Sequence, residues 1–160
     1  MIKTLLKEVK EYKKDTLLSP VYVSIEAILE VLIPFLMAIL VDNGIEKGDM
    51  KSIWFYGFLM LVAAFVSLWA GAKSGKHAAI ASSGFAKNLR KAEYRKIQEF
   101  SFSNVDAYST SGLITRMMTD VTNIQNAYQM MIRVCVRAPL MLIASLVMAF
   151  IINKEMAMIF

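Results

Sequence analysis

Four ionisable residues interrupt apolar runs in this chain, and they fall into two matched pairs. Glu26 and Glu30 are four positions apart, as are Arg133 and Arg137. Each pair therefore shares one face of a helix. A charge facing hydrocarbon costs at least about 2.5 kcal/mol, so such groups face a protein interior or a wet cavity and mark polar pathways. At 1.5 Å per residue from Pro20 at the inner edge, Glu26 lies about 9 Å and Glu30 about 15 Å into a ~30 Å core. Counting back from Ile152 at the outer edge places Arg137 about 8 Å above the inner edge. Glu26 and Arg137 thus share a depth, and the expectation is that they approach each other. The alternative is that Arg137 snorkels to the inner headgroups while Glu26 is hydrated or protonated. Glu30 is a further candidate for direct contact with a substrate.

Other chemistry is sparse. Gly71-Ala-Lys-Ser-Gly75-Lys76-His77 has the flavour of a phosphate-binding loop. It is one residue short between its glycines, places His77 where a Mg²⁺-binding Ser or Thr belongs, and follows an apolar helix instead of a strand. His77 is the single histidine, expected at a membrane boundary without a catalytic partner. Cys135 is the single cysteine and lies in an apolar run, where it reads as a small hydrophobe. No serine–histidine–acid set, metal-ligand spacing or dinucleotide fingerprint is present, so no catalytic, cofactor or metal site is expected and a membrane-embedded enzyme is disfavoured. The twelve methionines read mainly as packing or lipid-facing filler, although flexible thioether walls also suit a promiscuous site.

The elements that position these residues follow from hydropathy. Mean hydropathy is +0.50, and 57% of residues are hydrophobic although 19% are charged. A soluble chain of 160 residues has no interior for that content, and the charges are segregated as in a membrane protein. Three spans are expected at residues 21–41, 53–72 and 134–152, each near the ~20 residues that a bilayer needs. Residues 156–160 read as the start of a fourth, which suggests a fragment. No cleavable signal peptide is apparent. Residues 1–19 form a polar lead-in whose part at 2–14 reads as an amphipathic helix on the inner membrane surface, with packing on other protein as the alternative. Pro20 suits the first turn of the next helix, and Asp42-Asn43-Gly44 should end it. Five lysines precede the first span and most other basic residues follow the second, whereas the first connection holds only Lys47 and Lys51. The positive-inside rule makes the N-terminus cytoplasmic. Net charge is +5, but its clustering beside the spans argues against nucleic acid as a partner.

The segment at 73–133 is intracellular by the same rule and still reads as helix. Residues 74–100 lack proline and carry Phe85, Leu89, Ala92 and Phe100 on one stripe, extending the second span roughly 40 Å into the cytoplasm. Gly75 and Gly84 permit a bend. Phe85, Leu89 and Phe100 would need a partner surface to be buried. Ser103 and Asp106 resemble a capping box, leaving room for about one turn of helix before Ser109-Thr-Ser-Gly112 interrupts. Thr110 or Ser111 then caps a helix bearing Leu113, Ile114, Met117, Met118, Val121 and Ile124, which feeds the third span. A one-turn helix cannot persist unaided, so the tip implies a docking partner.

The run Ser101-Phe-Ser-Asn-Val-Asp-Ala-Tyr-Ser-Thr-Ser-Gly112-Leu-Ile-Thr-Arg116-Met-Met-Thr-Asp120 resembles the first intracellular loop of ATP-binding-cassette exporters. In that family a short transverse helix precedes Ser-Thr-Gly or a variant and then Leu-x-Ser/Thr-Arg-x-x-x-Asp. Here isoleucine replaces the leucine, and Ser111 stands where glycine is common. The resemblance covers nearly the whole chain and is nearest to bacterial multidrug-type half-transporters, particularly heterodimeric ones. It implies an all-α, polytopic fold of long helices and places the chain in the N-terminal half of a transmembrane domain, at residues 20–160. It also implies a multi-pass location in the bacterial inner membrane. Asn104, Val105, Asp106, Ala107 and Tyr108 would form a coupling helix that docks on a nucleotide-binding domain, which would hold ATP and Mg²⁺. A second half-transporter and a small amphiphilic substrate are the other implied partners besides the bilayer. This chain would not hydrolyse ATP or transport by itself. A small membrane adaptor whose cytoplasmic hairpin binds a soluble partner is the alternative.

Overall fold

The computed structural model describes residues 7–99, 110–152 and 154. Helix α1 spans Lys13–Leu40, after a 3-10 turn at Lys7–Tyr12 that is kinked at Lys10. Helix α2 spans Met50–Gln98, and a short α3 at Thr110–Thr115 leads through a π-helical turn at Arg116–Asp120 into α4 at Val121–Ile152. There is no strand among the described residues.

The first helix corrects the expected start at Pro20. It begins at Lys13 and runs through both Pro20 and Pro34. Proline removes a helical hydrogen bond, but contacts to the other helices hold the residues ahead of it. Asp15 meets His77 at 2.7 Å, the Thr16 hydroxyl meets the Tyr128 hydroxyl at 2.9 Å, and Ser19 is buried against Ser74. The lead-in is also less of a surface helix than its pattern suggests. Val9 is buried in the protein core with Tyr12 packed beside it, and the Asn88 side chain donates to the Glu8 carbonyl. Residues 1–6 lie outside the described part.

The turn after α1 uses a different glycine from the expected one. Gly44 is buried, and a Cβ there would lie 2.7 Å from Ile53 Cγ1. Gly48 takes the left-handed conformation, with φ 64°. The Gly48 N–H donates to the Ile45 carbonyl and the Asp49 N–H to the Gly44 carbonyl, the paired bonds of a Schellman motif. Asp49 then caps α2, accepting from the Ser52 hydroxyl and the Lys51 N–H. These two bonds, the Ser52 one foremost, hold its carboxyl below the usual carboxylate range.

Helix α2 is unbroken for 49 residues, about 74 Å, and passes through Gly75 and Gly84 without interruption. Its packed side is a ridge of small residues, including Ala63, Ala70, Ser74, Ala78, Ala81 and Ser82, which lets backbones approach closely. Helices α1 and α2 run antiparallel, as the Ser19–Ser74 and Gly44–Ile53 contacts show. Helix α4 runs antiparallel to α2, with Arg90 donating to Thr122 and Ser82 to Gln129. The core lies in the extension beyond the apolar spans. Phe85 and Leu89 are buried there with Val9, Val121, Tyr128 and Ile132, so this chain covers them and no outside partner is needed. Phe100 lies outside the described residues. Upstream of Val121 the wider π turn shifts the helical phase, and Ile114 and Met118 are exposed. Residues 110–112, expected to interrupt the helix, belong to α3.

Three helical stretches are long and apolar enough to cross a membrane: Glu8–Ile45, Met50–Gln98 and Arg116–Ile152. Their outward faces expose large apolar side chains, among them Phe55, Phe58, Phe65 and Leu68 on α2 and Val134, Leu142 and Ile143 on α4. Water would penalise such a surface, whereas lipid accepts it. The chain is an all-α, multi-pass membrane protein.

Candidate functional site

The two carboxylates of α1 and Arg137 of α4 meet in one polar cluster, with Arg133 one turn away on α4. The Thr16–Tyr128 bond sets the axial register of these two helices and brings Glu26 level with Arg137. The expected approach of the two is present, with Arg137 Nη1 3.4 Å from Glu26 Oε1. The principal partner is nevertheless Glu30. Arg137 Nη2 donates to both of its carboxylate oxygens at 2.7 Å. Depth counting underrated Glu30 because an arginine side chain reaches a full helical turn.

Glu26 is held back by a third helix. Its carboxylate lies against Gly71 of α2, where a Cβ would come within 2.8 Å of Oε1. Its Oε2 is buried without a hydrogen-bond partner among the described residues. Glu26 side-chain exposure is 15%, against 33% for Glu30 and 37% for Arg137. The cluster is thus partly shielded and partly exposed.

Two clefts flank the cluster. One, of about 470 Å³, is lined by Glu26, Glu30, Ser67, Gly71 and Arg133 together with aliphatic side chains. The other, of about 400 Å³, is lined by Val23, Asn126, Gln129, Met130, Arg133, Val134 and Arg137. Arg133 lines both.

The glycine-bearing run at 71–77 lies wholly inside α2. A helix interior has no unpaired backbone N–H groups with which to cradle a phosphate. Gly71 admits Glu26, Ser74 meets Ser19, and His77 pairs with Asp15. The His77 ring also stacks on Tyr22, with centroids 5.6 Å apart. The Asp15–His77 contact was illegible in the sequence, since 62 positions separate the pair and no local pattern links them. Farther along α2, burial pushes the Glu93 carboxyl above its ordinary value, and the charge of Asp120 adds to this against a smaller opposing effect of Arg90. Asn104, Val105, Asp106, Ala107 and Tyr108 lie outside the described residues, as does the capping pair Ser103 and Asp106.

Residues 17–160 match the family model of the ABC transporter transmembrane region. An uncharacterized ABC transporter ATP-binding protein of Bacillus subtilis, YfiB, is 36% identical over 131 residues, covering 82% of this chain and 23% of that protein. A second uncharacterized ABC transporter ATP-binding protein, Rv1273c of Mycobacterium tuberculosis, is 27% identical over 99% of this chain and 27% of its own length. An ATP-dependent lipid A-core flippase of Albidiferax ferrireducens is 26% identical over 88% of this chain and 24% of its own length. The chain therefore spans about a quarter of the length of these relatives.

Proposed function

Because this chain belongs to the ABC transporter transmembrane region family, we propose that it supplies part of the substrate pathway of an ATP-driven exporter and transmits force to it from a nucleotide-binding domain. The carrying observation is the reach of the helices. Helix α2 continues to Gln98, about 40 Å beyond the apolar segment, and α3 resumes at Thr110 and leads back along it through α4. In this reading Asn104, Val105, Asp106, Ala107 and Tyr108 form the coupling helix. It docks on a nucleotide-binding domain that holds ATP and Mg²⁺, and the buried contacts among α1, α2 and α4 make the extension stiff enough to act as a lever. A second half-transporter completes the pathway. The N-terminus is cytoplasmic, and the membrane is the bacterial inner membrane.

The polar cluster and its clefts form part of the cavity wall, with Glu26, Glu30 and Arg137 inside the membrane. The relative named as a lipid A-core flippase supports an amphiphile as the class of substrate. The test is substitution across residues 104–108 in the intact transporter. Proline there is expected to leave ATP hydrolysis measurable while abolishing the transport linked to it. Unchanged transport per ATP would reject the coupling role.

A further inference from the structure

Arg133 separates the two clefts, and the cluster does not satisfy it. Both carboxylates near Arg137 are engaged with that residue. Arg133 makes no hydrogen bond or ion pair among the described residues. Its two sides differ in charge. The cleft toward α2 contains Glu26 and Glu30. The cleft of about 400 Å³ on its other side is lined by two guanidinium groups and two side-chain amides, with no acid among the described residues of its wall. Ser82 donates to the carbonyl oxygen of Gln129, so the NH₂ end of that amide is not spent on Ser82. Val23, Met130 and Val134 supply apolar wall beside these donors.

Depth sharpens the reading. Counting back from Ile152, Arg133 lies about 2 Å above the inner edge of a ~30 Å core, and Asn126 lies about 10 Å nearer the cytoplasm. The donors are therefore at headgroup level and the apolar wall borders the chains. We propose that this cleft binds the anionic, phosphate-type headgroup of an amphiphile from the inner leaflet, with Arg133 as the principal charge partner and Asn126 and Gln129 as hydrogen-bond donors. A guanidinium fork matches phosphate oxygens in pairs. A cation is disfavoured by the same two arginines. The proposal concerns binding alone and stands whether or not the proposed transport role holds.

The test uses the intact protein in nanodiscs of zwitterionic lipid, without ATP, so a failure of coupling cannot mimic a failure of binding. Three fluorescent probes share one alkyl tail and end in a phosphate monoester, a trimethylammonium or a neutral sugar. The phosphate probe is expected to bind saturably and more tightly than the others. Arg133→Gln should weaken it roughly tenfold or more, the loss of one charge-assisted contact, and leave the neutral probe unchanged. Arg133→Lys should restore part of the loss. Glu30→Gln, which releases Arg137 from its chelate, should tighten phosphate-probe binding, a gain that misfolding cannot produce. Displacement by a few mole per cent of phosphatidylglycerol identifies the bilayer's own lipid as the occupant. Resistance to it identifies a single-chain amphiphile, and either result supports the site. Unchanged binding in Arg133→Gln, equal losses for all three probes, or displacement by millimolar inorganic phosphate would overturn it.

Discussion

Arg137 and Glu30 show how much one side chain can depend on its partner. Their two 2.7 Å contacts come from a single guanidinium nitrogen, and both groups are about one-third exposed. Removing one partner from a fully buried pair typically costs 3–5 kcal/mol. Solvent access lowers that figure here, and Arg137→Met is expected to destabilise the protein by about 1–3 kcal/mol. Adding Glu30→Gln should recover part of the loss, because the uncompensated carboxylate is then gone. Thermal unfolding in detergent micelles of the two single variants and the double variant measures the coupling. Additive losses would show that the pair contributes nothing beyond its parts.

Within α2 the glycines are not equivalent, although each would be equally unfavourable in a bare helix. Gly84 receives the ring of Tyr12, and a Cβ there would collide with it. Gly75 has nothing within 4 Å of where its Cβ would be. Gly84→Ala should therefore cost about 1–3 kcal/mol through overpacking and loosen the lead-in from the core. Gly75→Ala should stabilise by up to about 1 kcal/mol through helix propensity alone. The pair is checked by comparing unfolding midpoints, together with protease cleavage near Lys10. Equal effects at the two positions would mean that the Tyr12 contact has no energetic weight. Other interhelical contacts explain why α1 passes through Pro20. Asp15, Thr16 and Ser19 anchor the turn ahead of the proline, so the missing backbone bond does not end the helix.

As a whole, the molecule divides into an apolar-faced part and an extension that contains the packed core. The positive-inside rule predicts the extension on the cytoplasmic side, and labelling tests that orientation. In a Cys135→Ala background, Lys47→Cys should react with an impermeant maleimide on intact cells. Asp106→Cys should react only after the membrane is opened. The reverse pattern would invert the topology and remove the lever reading with it.

Helical periodicity and hydropathy were sufficient for the sequence to establish an all-α membrane chain, three long apolar stretches and a helical extension beyond two of them. These properties are local, because each residue's transfer energy and its neighbours three and four positions away decide them. The four charges that interrupt or border the apolar runs were also legible, since an apolar context makes any such residue conspicuous. Tertiary structure decided which charges pair. Glu30 overtook Glu26 because the Thr16–Tyr128 register and the hollow at Gly71 fix the two carboxylates differently, and both constraints come from distant helices. It also decided that Gly48, not Gly44, takes the left-handed turn, that Val9 enters the core, and that Asp15 meets His77. Such outcomes depend on the relative placement of whole helices, which the three- and four-residue pattern of one helix does not encode.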